Sequence, residues 1–315
     1  MELMFLGTGA GMPSRTRHTS SILLNLVEER DTYWLFDCGE AMQHRLIETS
    51  YRPRRVEKIF ITHLHGDHIF GLPGFLGSRS FLGGTEELTV YGPVGIEEYI
   101  RTSLRLSGTH LTYPLTIREI DPGVVFEDEQ FVVEADLLEH VIPSFGYRIV
   151  QKDLPGTLLM DKVRELGVPK GPLLGRLKKG ETIQLEDGRI IKGTDVTSSP
   201  QRGLILSILG DTRFCEASIR LAMNADVVVH EATFDDTNKK LAGAYGHSTF
   251  RQAATVAQRA GAKHLIATHI SARFTKEDEP RLVTEMGDSG CPVYIARDLQ
   301  GYQLLRDGSI TSFTA

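Results

Sequence analysis

The sequence has little cysteine, no long hydrophobic run and no excess of positive charge. Its three cysteines, Cys38, Cys215 and Cys291, are an odd number and lie far apart, so neither a disulfide framework nor a cysteine-based zinc site is expected. Buried thiols in a reducing cytosol fit this pattern. No apolar run reaches the ~18 residues of a membrane span, and residues 1–7 begin a strand without the basic and apolar regions of a secretory signal. We therefore expect a soluble, cytoplasmic protein with no membrane partner.

The overall charge also limits the class of partner. The formal net charge of the 315 residues is −6, so a nucleic acid would have to meet local basic patches. With 41% hydrophobic residues, the chain can bury one large core or two smaller ones. The glycine turn at residues 7–11 lacks the spacing and the following helix of a dinucleotide-binding fingerprint. A nucleotide cofactor is therefore not indicated, and the site must be sought elsewhere.

The densest group of chemically active residues follows a predicted buried strand at residues 57–62. Directly after it come His63, His65, Asp67 and His68, so one short segment holds three histidines and an aspartate. If the extended backbone continues, His63 and His65 point the same way, and the glycine before Asp67 permits a turn that returns the last two side chains to the same point. Imidazole and carboxylate together suit zinc or a similar divalent ion. The alternative, a polar surface loop, does not account for four such groups at this density.

Strand and helix patterns surround this motif. Strands are predicted at residues 20–26 and 32–36, and an apolar helical pattern at residues 69–82 is interrupted by Pro73. In the last third of the chain, hydrophobic strands that end in polar residues alternate with helices. Such alternation is typical of an α/β protein, and polar groups at strand ends are where sheet-based enzymes build their sites.

Further candidate metal ligands lie at the ends of later strands, at His140, Asp211 and His269. Taken alone, a single histidine such as His140 is more often a packed residue than a ligand. Together with the motif, the candidates form two sets that share Asp211: His63, His65, His140 and Asp211, and Asp67, His68, Asp211 and His269. Two divalent ions held in this way can activate a water and clamp a phosphate or a carbonyl.

The composition changes in an insertion at residues 155–195. Residues 154–196 contain seven glycines, eight lysines or arginines and six acidic residues, and large apolar residues are sparse after Leu177. The pattern predicts a segment that leaves the core, with a short helix at residues 158–166 and a hairpin around Asp187-Gly188. A disordered loop is the alternative.

The motif His63-Leu64-His65-Gly66-Asp67-His68, followed by His140, Asp211 and His269, resembles the pattern of the metallo-β-lactamase superfamily. This resemblance implies a four-layer αββα sandwich and a site for two Zn²⁺ ions per chain. Within the superfamily, the chain is similar to the ribonuclease Z family of tRNA 3′-processing endonucleases over nearly its full length. The segments that carry the narrower resemblance are residues 5–9, 13–17, 71–74, 171–172, 230–233 and 246–249.

The family resemblance implies catalytic roles for three residues. Asp67 would be a metal ligand and also the proton acceptor for the attacking water. His247, supported by Glu231, would help to protonate the leaving 3′ oxygen. The loop at residues 12–18 is either a solvated connector or a segment that places its arginines near a phosphate. In the family this loop usually ends in Arg-Asn, whereas here it ends in Arg17-His18.

The resemblance also implies how the substrate is bound. Residues 155–195, inserted in a single domain of residues 1–315, would form a flexible arm that binds tRNA, with Arg176, Lys178 and Lys179 as basic contacts. The family commonly forms homodimers in which the arm of one subunit serves the site of the other. Arg273, four residues beyond His269, could add a phosphate contact, although a surface role on a helix is an equal alternative.

Taken together, these implications predict a zinc-dependent endoribonuclease that removes the 3′ trailer from precursor tRNA. It would cut the phosphodiester near the discriminator base and leave a tRNA 3′-hydroxyl. The chemistry agrees, because cleavage of an RNA phosphodiester needs positive charge, an activated water and a proton donor for the leaving alkoxide. Recognition of folded RNA through a separate basic arm also tolerates the negative net charge.

Two other functions stay open at this point. A hydrolase of a thioester, a lactone or a small phosphodiester would keep the metals but not bind RNA, and the insertion argues against it. An RNA-binding scaffold would retain only a vestigial metal site, and the complete set of ligands argues against that. His230 either supports the site or packs at a strand end.

Overall fold

Two β-sheets lie face to face and carry helices on their outer sides. The computed structural model describes all residues from 1 to 315. Its strands are, in chain order, β1 (Glu2–Gly7), β2 (Ser21–Leu26), β3 (Thr32–Phe36), β4 (Val56–Phe60), β5 (Leu88–Gly92), β6 (Leu115–Glu119), β7 (Gly123–Glu127), β8 (Phe131–Leu138), β9 (Ser144–Gln151), β10 (Thr182–Gln184), β11 (Ile190–Lys192), β12 (Ile205–Leu209), β13 (Val227–Glu231), β14 (Leu265–Thr268), β15 (Val293–Ile295), β16 (Gln300–Leu304) and β17 (Ile310–Thr314). One sheet has the order β17-β16-β1-β2-β3-β4-β5-β6 and the other β15-β14-β13-β12-β9-β8-β7, while β10 and β11 pair separately.

The helices are mostly short and amphipathic. They are α1 (Val27–Arg30), α2 (Met42–Ile47), α3 (Gly66–Ile69), α4 (Leu72–Phe81), α5 (Ile96–Leu106), α6 (Met160–Glu165), α7 (Pro172–Lys178), α8 (Gly193–Val196), α9 (Glu216–Ala222), α10 (Lys239–Tyr245), α11 (Phe250–Ala260) and α12 (Glu279–Met286). A capping box begins α11, where the side chains of Thr249 and Gln252 each accept a hydrogen bond from the other's backbone N–H. No helix combines the length and the apolar character that crossing a bilayer requires.

Three hydrophobic cores hold the layers together. The largest lies between the two sheets, where the ring of Trp34 lies 5.5 Å from Phe60 and 5.3 Å from Phe131, centroid to centroid. A second core joins the first sheet to α2, α4 and α5, and a third joins the second sheet to α9, α11 and α12. The predicted four-layer αββα sandwich is therefore confirmed. Cys38 and Cys215 are buried in these cores, and all three cysteines are free thiols.

The predicted helical segment at residues 69–82 is divided in two. After α3, the chain turns at Gly71, whose N–H donates to Cys38 O at 2.9 Å. An added Cβ at Gly71 would lie 2.2 Å from Gly39 O, so only glycine fits this crossing. Pro73 then lies in the first turn of α4, where its missing N–H costs no helical hydrogen bond.

The carboxyl ends of five strands meet at one edge of the sandwich. In the second sheet β12, β13 and β14 are parallel, and β8 runs the same way because both β8 and β12 are antiparallel to β9. The end of β4 joins them from the first sheet, since Phe145 N donates to Thr62 O at 2.8 Å. The residues that follow these strands are consequently brought together.

The insertion folds as a small unit with its own core. The predicted hairpin is present as β10 and β11, and the turn between them contains Gly188 at φ +88°. The predicted short helix is α6, whereas α7 and α8 were not predicted. Seven buried apolar side chains fill the unit, namely Val163, Val168, Leu177, Ile183, Leu185, Ile191 and Val196. The unit is connected at Leu154 and Gln201, which exchange two backbone hydrogen bonds of 2.9 Å.

We expect Asp226→Asn to destabilise the fold. The carboxylate is 2% exposed, pairs with Arg202 Nη1 at 2.9 Å and Lys263 Nζ at 2.8 Å, and accepts from Ile205 N at 2.7 Å. Removing its charge should lower the free energy of unfolding by roughly 2–4 kcal/mol at pH 7, measured by urea denaturation. Asp121→Asn, at an exposed position, is the control.

The loss should also depend on pH. Burial opposes the charge, but the hydrogen bonds from Arg202 and Lys263 lower the pKa of Asp226 below its unfolded value. Its stabilisation is therefore full above the unfolded pKa of ~3.9 and is lost as the pH falls through the folded pKa. Equal stability of Asp226→Asn and the wild type at pH 7 would contradict this assignment.

Candidate metal centre

The first predicted set of ligands converges at the shared edge of the sheets. His65 Nδ1 lies 3.1 Å from His63 Nε2 and 3.2 Å from His140 Nε2. Asp211 Oδ2 lies 3.6 Å from His63 Nε2, and one donor atom from each of the four residues lies within 4.8 Å of the others. Three imidazoles and one carboxylate thus face a common point.

The second set lies directly beside the first. Asp67 Oδ2 is 3.3 Å from His269 Nε2 and 3.5 Å from His68 Nε2. Asp211 is close to both histidines, with Oδ1 3.5 Å from His68 Nε2 and Oδ2 3.3 Å from His269 Nε2. All seven predicted ligands are brought together, and Asp211 lies between the two sets.

Each of four histidines has its second ring nitrogen held by the protein. Such hydrogen bonds fix the orientation and tautomer of a metal-binding imidazole. The four contacts are His63 Nδ1 with Thr62 Oγ1 at 2.9 Å, His68 Nδ1 with Asp37 Oδ2 at 2.7 Å, His140 Nδ1 with Gly246 O at 2.7 Å and His269 Nδ1 with Thr233 Oγ1 at 2.8 Å. The Nε2 atoms are thereby directed at the centre of the cluster.

Asp37 is the functional residue that sequence reasoning missed. Besides His68, its carboxylate accepts from Thr62 N at 2.7 Å and from Thr62 Oγ1 at 2.8 Å, and it is buried. It adopts a left-handed backbone at φ +59°, which is rare for a residue other than glycine. A polar residue directly after β3 was the available signal, because several of the predicted ligands also follow strands.

The cluster fits a divalent metal ion. His68 Nε2 is buried and has no hydrogen-bond partner, although it is directed at two carboxylates. Burial, reinforced by the charge of His68, holds the pKa of His63 well below its usual range, so its imidazole is neutral and has a free lone pair. Imidazole nitrogens and carboxylate oxygens form the donor set of zinc and related first-row metals.

His247 and Glu231 form a pair beside the cluster. His247 Nδ1 lies 2.9 Å from Glu231 Oε1 and 3.8 Å from Asp211 Oδ2. Burial opposes the charged imidazole, but the carboxylates of Glu231, Asp211 and Asp67 raise the pKa of His247 to about 9. Glu231 is buried and is held by backbone N–H groups, including that of Ser248 at 3.0 Å. His247 is therefore held beside the cluster by Glu231 with its imidazole protonated at neutral pH.

The two arginines considered as phosphate contacts, Arg17 and Arg273, differ in their exposure to solvent. Arg17 is buried and donates to Thr8 Oγ1 at 2.7 Å and Ala296 O at 2.6 Å, so the hypothesis of a phosphate contact is wrong for this residue. Arg273 is exposed in a turn after His269, not on a helix, and its guanidinium lies 4.9 Å from the ring centroid of Phe234.

The predicted contacts in the arm do not lie at the metal cluster, and neither does His230. Arg176, Lys178 and Lys179 are exposed on α7 and the residue after it, away from the cluster. His230 is buried, and its Nδ1 lies 2.7 Å from Glu231 O. It therefore packs at the end of β13 and does not face the centre.

Comparisons with known proteins agree with this geometry. A family model described as anti-Pycsar protein Apyc1 matches residues 1–146, which is less than half of the chain. Ribonuclease Z of Anoxybacillus flavithermus is 55% identical over 308 residues, covering 98% of this chain and 99% of that protein. The crystal structure of the short form of human tRNase Z is 32% identical, with a TM-score of 0.71 and coverage of 97% of this chain and 100% of that chain.

Proteins with much lower sequence identity also have this fold. A metallo-β-lactamase-fold protein from Bacillus subtilis, YhfI, is 18% identical with a TM-score of 0.66 and coverage of 99% of both chains, which shows a shared fold alone. By contrast, the bacterial ribonuclease Z and the short form of human tRNase Z are at least 32% identical in sequence to this chain and match it over nearly its whole length. The chain therefore belongs to the ribonuclease Z family of metallo-β-lactamase-fold proteins.

Proposed function

We propose that this protein is a metal-dependent endoribonuclease that removes the 3′ trailer from precursor tRNA. The observation that carries this proposal is the convergence of seven ligand-type side chains beside the His247–Glu231 pair, in a chain 55% identical to a ribonuclease Z. Cleavage near the discriminator base would leave a 3′-hydroxyl on the tRNA. We propose Zn²⁺ as the metal, two ions per chain, held by the two sets that share Asp211. Metal bound there supplies positive charge to the phosphate oxygens and lowers the pKa of a water.

Asp67 is the proton acceptor for the attacking water in this proposal. Burial opposes its charge, but its hydrogen bond with His269 and the charge of His68 hold the pKa of Asp67 well below its usual range. Its carboxylate is therefore ionised at neutral pH and available as a metal ligand. Because a low pKa makes it a weak base, it would accept a proton only from a water whose own pKa a bound metal has lowered. Gly11 N donates to Asp67 Oδ2 at 2.8 Å and fixes its orientation.

His247 is the proton donor to the leaving 3′ oxygen. Glu231 engages Nδ1 of His247, so Nε2 is the nitrogen left for the substrate. The alkoxide is a poor leaving group, and a positioned imidazolium that protonates it accelerates its departure. Glu231 acts through His247 by holding the ring and stabilising its positive charge.

The arm, residues 155–195, is proposed to bind tRNA away from the cleavage site. Lys178 and Lys179 are exposed and form no ion pair, whereas Arg176 pairs with Glu181 at 2.8 Å, so the two lysines are the more available contacts. The arm leaves the body at the far end of β9, and eight strand residues separate that end from the cluster by roughly 25 Å. A homodimer, in which the arm serves the partner subunit's site, is consistent with this separation. We also propose a cytoplasmic location.

The direct test is cleavage of one precursor tRNA whose 3′ trailer has been mapped, with metal analysis of the same sample. We expect a single cut near the discriminator base, a 3′-hydroxyl on the tRNA and about two zinc ions per chain. Chelation should abolish cleavage, and added Zn²⁺ should restore it. Full cleavage by the metal-free protein, or no cleavage by the metal-loaded protein, would contradict the proposal.

We expect His247→Ala to lower the rate of precursor cleavage by about 10²–10⁴-fold, because it removes the general acid. Bis-p-nitrophenyl phosphate should be far less affected, since p-nitrophenolate departs without a proton. The metal content should stay unchanged. Because His247 Nδ1 also lies near Asp211 and His269, loss of a metal ion in the variant would instead identify His247 as a ligand.

A further inference from the structure

An exposed aromatic side chain borders the metal centre and has no role in the mechanism above. Phe70 is 65% exposed although it is a large apolar residue, and it directly follows α3, which carries Asp67 and His68. Its ring lies across Gly66, because a Cβ added to Gly66 would be 2.2 Å from Phe70 Cε2 and Cζ. Gly66 lies between His65 and Asp67, so the ring is adjacent to one ligand of each set.

A second exposed apolar side chain borders the same part of the site. Met12 is 64% exposed and follows Gly11, whose N–H donates to Asp67 Oδ2. The rim next to Asp67 is thus apolar and open to solvent. An exposed aromatic ring beside a phosphate-cleaving centre is a surface on which a nucleic acid base can stack.

The position of His247 indicates which nucleotide would lie there. Its ring is 5.1 Å from that of His140 and 5.3 Å from that of His269, and it has no hydrogen bond or ring contact with residues 65–70. The Phe70 ring lies on the Asp67 side of the centre, because it covers Gly66 and Asp67 directly follows that glycine. In an in-line displacement the water enters opposite the leaving oxygen, so the acceptor Asp67 and the donor His247 act on opposite faces of the phosphorus. Since His247 protonates the 3′ oxygen of the tRNA, the last tRNA nucleotide lies on its side, and the first trailer nucleotide lies toward Phe70.

We propose that Phe70 is a substrate-positioning residue on which the base of the first trailer nucleotide stacks. This inference rests on the proposed function and names a contact that holds the scissile phosphate over the centre. Stacking on an aromatic ring tolerates any base, which suits trailers of varied sequence. The aromatic face, and not hydrogen bonding, is the property that this position requires.

The test compares kcat/KM on a precursor tRNA with an intact or an abasic first trailer nucleotide. We expect Phe70→Ala to lower kcat/KM on the intact substrate by about 5- to 150-fold, and Phe70→Trp to stay within about threefold of wild type. Phe81→Ala, which removes a 92% exposed ring at the end of α4, is the matched control and should have no effect. On the abasic substrate, Phe70→Ala should cause no further loss.

Four results would overturn the inference. An equal loss by Phe70→Ala on both substrates would mean that the ring acts through the Gly66 backbone, and a changed metal content would mean the same. A loss that disappears only when the discriminator base is removed would place the stack on the other side of the cut. Normal cleavage by Phe70→Ala would exclude the contact. Failure of the wild-type enzyme to cut the intact precursor would instead overturn the proposed function.

Discussion

Asp67→Ala is expected to abolish cleavage of precursor tRNA at neutral pH while the fold stays intact. The substitution removes a carboxylate that lies 3.3 Å from His269 and 3.5 Å from His68, and with it both a metal ligand and the proton acceptor for water. We expect a loss of at least about 10³-fold, which is the combined effect of general-base catalysis and of metal activation of the water. Single-turnover cleavage of a labelled precursor measures the rate, and metal analysis measures occupancy.

Asp67→Asn separates the two roles of this residue. The amide keeps the size of the side chain and one oxygen ligand but cannot accept the proton, so metal content should fall less than in Asp67→Ala while cleavage is equally lost. Far-ultraviolet circular dichroism should be unchanged in both variants, because Asp67 lies in the short helix α3 and belongs to none of the hydrophobic cores. Cleavage by Asp67→Ala near the wild-type rate would exclude Asp67 from the reaction.

Removal of the arm is expected to separate tRNA cleavage from phosphodiester chemistry. Residues 155–200 can be replaced by an Asn-Gly turn, because Leu154 and Gln201 already exchange the two hydrogen bonds that close a hairpin. Precursor cleavage should collapse, whereas hydrolysis of bis-p-nitrophenyl phosphate should persist, since the arm has its own core and is remote from the cluster. If both activities survived unchanged, the arm would have no part in substrate binding.

A charge-matched pair of variants refines this experiment. Lys178→Ala/Lys179→Ala removes two exposed, unpaired charges from the arm, and Arg52→Ala/Arg54→Ala removes two exposed charges from the turn before β4, outside the arm. The lysine variant should weaken precursor binding and reduce the slope of log affinity against log salt by about 1–2, because fewer counterions are released. Equal effects of the two variants would indicate general electrostatic attraction and not an arm-specific contact.

Much of the site could be predicted because its densest part is local. Four ligand-type side chains, three histidines and an aspartate, occur from His63 to His68. Their spacing indicates a metal site even when the fold is unknown. The hydrophobic patterns also located most strands, and the hairpin of the arm followed from its Asp-Gly turn. The family resemblance supplied His247 and Glu231, which no local pattern would have linked to a proton transfer.

The contacts between distant residues could not be predicted in the same way. Asp37 holds His68 across 31 positions, and Arg17 is buried against Ala296 across 279 positions. The apolar residues of the arm form a core only because α6, α7 and the hairpin meet, although the composition of the segment had suggested few such residues. Periodicity reports which face of an element is buried, but it does not report which elements are neighbours.

The sequence by itself determined that this chain has a histidine- and aspartate-rich centre after a buried strand and an α/β architecture, because both depend on neighbouring residues and on regular spacing. Only the tertiary structure decided that Asp211 lies between the two ligand sets, that Asp37 orients His68, and that Phe70 remains exposed beside Asp67. The physical reason is that the order of strands in two stacked sheets brings together the ends of β4, β8, β12 and β14, and this order is set by packing of the whole chain.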